Sequence, residues 1–235
     1  MTSLEQLQGG LVVSCQPVTG GAMDRIDIVV AMALAAIDGG ANGLRIEGAR
    51  NVATVRMATD KPIIGLVKHE VDRTDVRITS RLSDVEALVH AGADIIAYDA
   101  TDRPRQDDRD VVLHAILAHG CIAMADCSTF DDAQQALDQG AQMLGSTLSG
   151  YTAKTESASD RPDLALVSAL NRLDAFVMAE GRYNSPDLAA KAFIAGADAV
   201  TVGSAIARVE HIVGWFKTAI DEATRAEEHD DVLSS

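Results

Sequence analysis

Lys68 closes the run Pro62-Ile63-Ile64-Gly65-Leu66-Val67, where four apolar residues and a glycine lead directly into a charge. A run of that kind reads as a fully buried strand ending at its mouth. In a closed (β/α)8 barrel the carboxyl ends of the strands form the face where chemistry is done. A lysine placed there loses water, which disfavours the ammonium and makes the neutral amine accessible. A neutral amine can take a proton from an acidic carbon. The competing reading of this stretch alone is a surface lysine that caps a strand.

Other apolar runs in the chain also stop at polar residues. They end at Ser14 and Gln16, Arg45 and Glu47, Asp99 and Thr101, Asp126 and Ser128, Ser146 and Thr147, Glu180 and Arg182, and Gly203 and Ser204. The run interiors are almost purely apolar, so the clustering carries more than any single member. Glu180, Asp126 and Asp99 are the candidate functional carboxylates, each with a helix cap or loop hydrogen bond as the competing reading, and Glu180 or Asp126 could exchange protons with a substrate beside Lys68. Asp126 has a second reading, because Asp126-Cys127-Ser128-Thr129 also resembles an ordinary helix start. The last strand ends in Val202-Gly203-Ser204-Ala205-Ile206, followed by Arg208, and the one before it in Glu180-Gly181-Arg182. Glycines let a phosphate approach backbone amides, and barrels commonly hold phosphate in the loops after strands 7 and 8. Gly181, Gly203, Ser204 and Arg208 are therefore candidates for a phosphate cradle. The six histidines show no metal-ligand spacing at strand ends, and no Ser or Cys nucleophile has a histidine partner in view.

The elements that position these residues repeat a phrase. Gly39-Gly40-Ala41-Asn42, Ala91-Gly92-Ala93-Asp94, Gln139-Gly140-Ala141-Gln142 and Ala195-Gly196-Ala197-Asp198 each follow an Ala-rich amphipathic run and precede a short apolar one. Glycine can end a helix in the left-handed conformation without a Cβ penalty, so the unit is helix, stop, strand. Eight strands are predicted, at 11–15, 43–46, 63–68, 95–99, 122–126, 143–146, 176–179 and 199–203. Helices are predicted at 28–38, 82–90, 111–119, 130–138, 163–172, 186–194 and near 209–222, with start signals at Ser128-Thr129, Ser185-Pro186 and Ser83 or Asp84. This pattern fits a single (β/α)8 TIM barrel of the phosphate-binding type over 1–224, with an acidic, fraying tail over 225–235. No Gly-x-Gly-x-x-Gly follows the first strand, which weakens a dinucleotide-binding sheet. Two connections, 69–81 and 147–162, are long enough to be binding loops or lids.

Composition agrees with this class. The chain has 235 residues, is 47% hydrophobic and carries a net charge of −15, with few aromatics. That charge argues against nucleic acid but not against a small anion, since surface charge is screened within about 8 Å. Cys15, Cys121 and Cys127 are odd in number and lack metal spacing, which suggests buried reduced thiols in a cytoplasmic protein. No secretory signal opens the chain and no apolar stretch is long enough for a membrane span.

At these motifs the sequence resembles the N-acetylmannosamine-6-phosphate 2-epimerases of amino-sugar and sialic acid catabolism. The resemblance rests on Val13-Ser14-Cys15-Gln16, Gly43-Leu44-Arg45, Pro62 through Lys68, Ala93 through Thr101 and Met124 through Thr129. It continues with Thr147-Leu148-Ser149-Gly150-Tyr151-Thr152, Ala179-Glu180-Gly181-Arg182 and Val202 through Ile206. The Leu-Ser-Gly-Tyr-Thr and Ala-Glu-Gly-Arg pieces are the specific ones. The resemblance implies a barrel enzyme that needs no metal or cofactor and acts on a phosphorylated amino sugar. Lys68 matches the catalytic lysine and Glu180 the carboxylate that assists it. Gln16, Arg45, Asp126 and Arg182 match sugar-contacting positions, and Gly203 with Arg208 the phosphate end. Two stretches depart from the family pattern: Ile78-Thr79-Ser80-Arg81, where Thr-Pro-Thr is more usual, and Ala207-Arg208-Val209, where Thr-Arg-Pro is common. A Schiff-base aldolase, another sugar-phosphate isomerase or epimerase, and a non-catalytic sugar-phosphate sensor are the rival readings. The sequence leaves subunit number open, a homodimer being one arrangement.

Overall fold

Eight parallel strands close on themselves in the computed structural model, paired in chain order with the last returning to the first. The structure describes residues 1–69, 74–156 and 159–233, with side chains described through residue 225. The strands are β1 (Gly10–Ser14), β2 (Gly43–Glu47), β3 (Ile63–Leu66), β4 (Ile95–Asp99), β5 (Ile122–Asp126), β6 (Met143–Gly145), β7 (Phe176–Glu180) and β8 (Ala199–Val202). The helices are α1 (Ser3–Leu7), α2 (Ile26–Asp38), α3 (Ala49–Arg56), α4 (Leu82–His90), α5 (Arg109–Ala118), α6 (Phe130–Asp138), α7 (Leu164–Leu170), α8 (Pro186–Ile194), α9 (Ser204–Ala207) and α10 (Val209–Leu233). This is a (β/α)8 barrel, as the repeated phrase predicts.

Each repeat does two jobs. Its glycine takes a left-handed backbone after the helix, with φ of 98° at Gly40, 84° at Gly92, 104° at Gly140 and 100° at Gly196. The polar residue two positions later then clamps the first turn of a neighbouring strand. Asn42 Oδ1 accepts from Leu11 N at 3.2 Å, Asp94 Oδ2 from Ile63 N at 2.8 Å, Gln142 Oε1 from Ala123 N at 2.9 Å, and Asp198 Oδ2 from Val177 N at 2.8 Å. The clamps fall on β1, β3, β5 and β7. All four occupy the amino end of the barrel, the face that serves stability rather than chemistry.

Within a strand, alternate residues face opposite layers. Outward residues such as Val13, Leu44, Ile46, Ile96 and Val177 pack beneath the helices. Inward residues Val12, Ile64, Leu66, Ile95, Ala97, Met124, Met143 and Met178 fill the barrel with Leu7 of α1. Leu7 is fully buried, and a Cβ on Gly43 would lie 2.5 Å from its Cδ2, so β2 needs a glycine there. The same inward register carries Ser14, Arg45, Asp99, Asp126, Glu180 and Thr201 to the carboxyl end.

Several boundaries differ from expectation. β3 stops at Leu66, because its ladder with β4 holds only Ile64 and Gly65, and Lys68 stands two residues beyond it. The other strands agree within one residue. α1 and α3 were not foreseen, α1 being too short to show a period. α4 starts at Leu82, before Ser83, and Asp84 accepts from Arg81 N at 3.2 Å from inside the first turn. The backbone of α10 continues as helix to Leu233 through the stretch expected to fray. Ala, Arg and Glu are good helix formers there, and residues 234–235 lie outside the described residues.

Candidate active site

The inward alternation that puts Ile64 and Leu66 inside the barrel continues to Lys68 at its mouth. The Lys68 Nζ donates to Gln16 Oε1 at 2.6 Å, and the Gln16 amide in turn donates to Ser14 Oγ at 2.8 Å. Lys68 lines three adjoining cavities, of about 170, 340 and 590 Å³. By surface area the residue is exposed, because those cavities open to solvent. The amine nevertheless stands among protein atoms. Loss of water first, and then the cations Arg45 and Arg208, lower its pKa from the ordinary lysine value, with Glu180 and Glu47 pulling the other way.

Across the smallest cavity lies Glu180, at the end of β7. Its surroundings follow from one buried arginine. Arg45 is 1% exposed and grips Asp126 in a fork, Nη2 to Oδ2 at 2.7 Å and Nη1 to Oδ1 at 3.3 Å. Thr147 Oγ1 also donates to Asp126 Oδ1, at 2.6 Å. The absence of a side chain at Gly145 makes room, since a Cβ there would sit 2.7 Å from Met124 Cε and 3.2 Å from Asp126 Oδ1. Arg45 Nη1 is 3.1 Å from Glu180 Oε2, but that oxygen has no aligned hydrogen bond. Two carboxylates thus share one guanidinium already committed to Asp126. Burial raises the Glu180 pKa to about 7, Arg45 opposes the shift and Asp126 adds to it. The two shifts run toward each other, the amine's down and the carboxyl's up, so each group is moved toward its neutral form.

The raised value makes a prediction about stability. The folded protein favours protonated Glu180. This contribution is complete below the ordinary 4.5 and is lost as pH rises through about 7. Glu180→Gln cannot lose it. Its Tm relative to wild type is expected to be higher at pH 8 than at pH 5, and calorimetry at the two values checks this. An equal difference at both would contradict the assignment.

The phosphate candidates converge. Gly181, Gly203, Ser204 and Arg208 line the same cavity as Glu180, Gln16 and Lys68, and the sugar candidate Arg182 lines it too. Arg208 Nε donates to the Gln16 carbonyl at 3.0 Å. Gly181 and Arg182 both take left-handed backbones, with φ of 103° and 61°. Arg182 donates to Ser149 O at 2.8 Å and stacks 5.0 Å from the Tyr151 ring, latching the 147–162 loop to the end of β7. Arg45 and Asp126, expected to contact the sugar, are both buried and line none of these three cavities. Asp126 holds Arg45, and Arg45 reaches Glu180.

Asp99 is tied up as well. It is 1% exposed, pairs with Arg103 at 2.6 Å and accepts from Thr101 Oγ1 at 2.6 Å, with Arg105 at 3.4 Å. Those bonds make it the anchor of the loop after β4, although it still forms part of the largest cavity wall. His69, which stood alone in the sequence, pairs with Asp84 at 2.8 Å and lines the cavity on the β1–β3 side. Cys15 and Cys127 are buried and unpaired, burial pushing the Cys15 thiol up to about 12, while Cys121 is only partly buried. Thr201, Tyr183 and Asn184 complete the cavity wall and were not singled out in the sequence. Thr201 had a usable signal, its inward position two residues after Ala199.

A closed barrel whose carboxyl end carries this polar cluster places the chain in the (β/α)8 class with its site at the strand ends. Within that class the chain belongs to the family described as "Putative N-acetylmannosamine-6-phosphate epimerase", whose model matches residues 29–222. A protein of Photobacterium profundum named putative N-acetylmannosamine-6-phosphate 2-epimerase is 51% identical over 225 residues, covering 96% of this chain and 95% of that one. A protein of the same name from Yersinia pseudotuberculosis is 54% identical over 217 residues, covering 92% of each. The solved structure of the N-acetylmannosamine-6-phosphate 2-epimerase from Clostridium perfringens superposes with a TM-score of 0.90 at 33% identity, covering 93% of this chain and 96% of that one. A thiamine phosphate pyrophosphorylase from Pyrococcus furiosus, at 19% identity and a TM-score of 0.60, shares the fold.

Proposed function

We propose that the protein interconverts N-acetylmannosamine 6-phosphate and N-acetylglucosamine 6-phosphate by moving the proton at C2. The observation that carries this reading is Lys68 Nζ and the Glu180 carboxyl lining one cavity, with pKa directions that favour a neutral amine and a protonated acid. The C2 proton is acidic only when C1 is an aldehyde, so the pyranose opens first. Glu180 gives its proton to the ring oxygen and accepts the one leaving O1. The lone pair of Lys68 then takes the C2 proton, and the C2–H electrons form the C1=C2 bond while the C1 carbonyl electrons move onto O1, giving a 2-acetamido enolate. The Glu180 carboxyl, protonated again after ring opening and across the cavity from Lys68, returns a proton to the opposite face of C2 and inverts it, and solvent then takes the proton from Lys68 and restores the one on Glu180. General acid–base transfer contributes about 100- to 10,000-fold.

Gln16, already 2.6 Å from the amine, orients the sugar oxygens next to C2. Arg45 and Asp126 act through Glu180. Gly181, Gly203, Ser204, Arg208 and Arg182 receive the phosphate, whose binding far from C2 fixes the reacting carbon. A phosphorylated sugar does not cross a bilayer unaided, so we assign the reaction to the cytoplasm. Incubation of the protein with N-acetylmannosamine 6-phosphate, followed by NMR, is expected to show the gluco epimer growing to equilibrium. No new sugar signal would overturn the reading. A covalent adduct at Lys68 trapped by borohydride would favour the Schiff-base aldolase instead.

We infer further that the working form is a homodimer built through α10. That helix packs mainly on the short α9. It leaves Val213, Trp215, Phe216 and Ile220 between 40% and 69% exposed. The return from β8 to β1, where a full helix usually lies, is an apolar groove of about 470 Å³ walled by Leu11, Phe193, Val200, Val202 and Ile206. The apolar face of one copy's α10 suits the groove of the other. Light scattering is expected to give twice the chain mass, and Phe216→Asp half of that. A wild-type monomer at micromolar concentration would contradict the assembly.

A further inference from the structure

Lys68 does not belong to the sheet, so something other than the barrel ladder must hold it. β3 has ended at Leu66, and from Val67 the chain pairs antiparallel with its own return path. Lys68 bridges to Ile78, and His69 N donates to Arg77 O at 2.9 Å. The residue that closes this short ribbon is Thr79. Its amide donates to Val67 O at 2.8 Å, and its hydroxyl accepts from Val67 N at 3.2 Å. One residue therefore holds both backbone groups of the residue immediately before the lysine.

Thr79 does this at a conformational cost. Its φ is 42°, in the left-handed region, and it is 1% exposed. Positive φ in a β-branched residue is an outlier that persists only where its surroundings over-determine it. Here they do so from two sides. The carbonyl of Ile78 accepts from Asp99 N at 3.1 Å, fixing the segment to the end of β4. Asp99 is itself held by Thr101 and Arg103. The turn at Thr79 then leads the chain away toward α4.

We propose that Thr79 is the positioning residue of Lys68: its strained backbone and its hydroxyl clamp Val67 so that the Lys68 side chain leaves the ribbon at the height of the cavity. Without the hydroxyl the Val67 amide loses its partner, and the amine is delivered over a wider range of positions. Misplacement of a catalytic group by about 1 Å can cost 100-fold in rate. Binding of the sugar phosphate rests on other elements, so the loss falls on kcat.

This inference rests on the epimerase reading, and the test keeps the two apart by including the wild type in the same assay. Absence of wild-type epimerisation removes that reading, and this inference with it. With the wild type active, Thr79→Ala is expected to lower kcat about 10- to 100-fold while KM stays within about threefold. Thr79→Ser keeps the hydroxyl and is expected to restore most of the rate. Thr79→Gly relieves the backbone but lacks the hydroxyl, so it is expected to fold and to share the kcat loss. Wild-type kcat in the alanine or glycine variant overturns the proposal, as does a serine variant as impaired as the alanine one. If the alanine variant does not fold, the serine and glycine variants decide.

Discussion

Replacing Lys68 by alanine is expected to lower kcat about 100- to 10,000-fold, the range for removing a general base. The fold should survive, because Lys68 stands beyond the end of β3. KM should change little, since the phosphate cradle at Gly181, Gly203, Ser204 and Arg208 is untouched. The Nζ already sits 2.6 Å from Gln16 Oε1 and faces the cavity shared with Glu180. An arginine at 68 should not substitute, because a guanidinium stays charged and offers no lone pair. Steady-state kinetics on the two variants checks this, and a large rise in KM with kcat unchanged would move Lys68 from chemistry to binding.

The second large effect is on stability. Arg45→Met leaves Asp126, which is fully buried, without the guanidinium that pairs with it. Breaking one side of a buried pair typically costs about 3–5 kcal/mol. For a chain of this size each kcal/mol lowers Tm by roughly 2–4 °C, so a drop of the order of 10 °C is expected. The double variant Arg45→Met with Asp126→Leu removes the orphaned charge and should recover much of that loss. It should remain inactive, since Glu180 would then have lost its fixed surroundings. Thermal melts of the two single variants and the double variant check this. Additive losses would mean that the Arg45–Asp126 contact is not a coupled pair.

The barrel was legible because its strands are buried on both faces and so read as uninterrupted apolar runs, each stopped by a polar residue. Glycines at 40, 92, 140 and 196 marked every second helix end. The other half of that phrase, the clamp by Asn42, Asp94, Gln142 and Asp198, was not legible, because its partners lie on a different strand. The same reason hid the division of labour among the charged residues. Nothing local distinguishes Asp99, an anchor for Arg103, from Glu180, a carboxylate left under-satisfied in a cavity. Arg45 and Asp126 are 81 positions apart, and only closure of the barrel reveals that they bind each other. Thr79 gave one signal, its place in a stretch that departs from the family pattern. Its positive φ belongs to the backbone and leaves no mark in composition. Lys68 stands at the mouth as expected, but the expected strand runs two residues too far, since an apolar Val67 continues the run after the ladder has stopped.

The most direct test follows hydrogen at C2. Wild-type protein in deuterated water with N-acetylmannosamine 6-phosphate should place solvent deuterium at C2, seen as loss of that proton signal by NMR, and the Lys68→Ala variant should not. Turnover by the wild type with its original C2 hydrogen fully retained, or exchange at the wild-type rate in the alanine variant, would contradict the account.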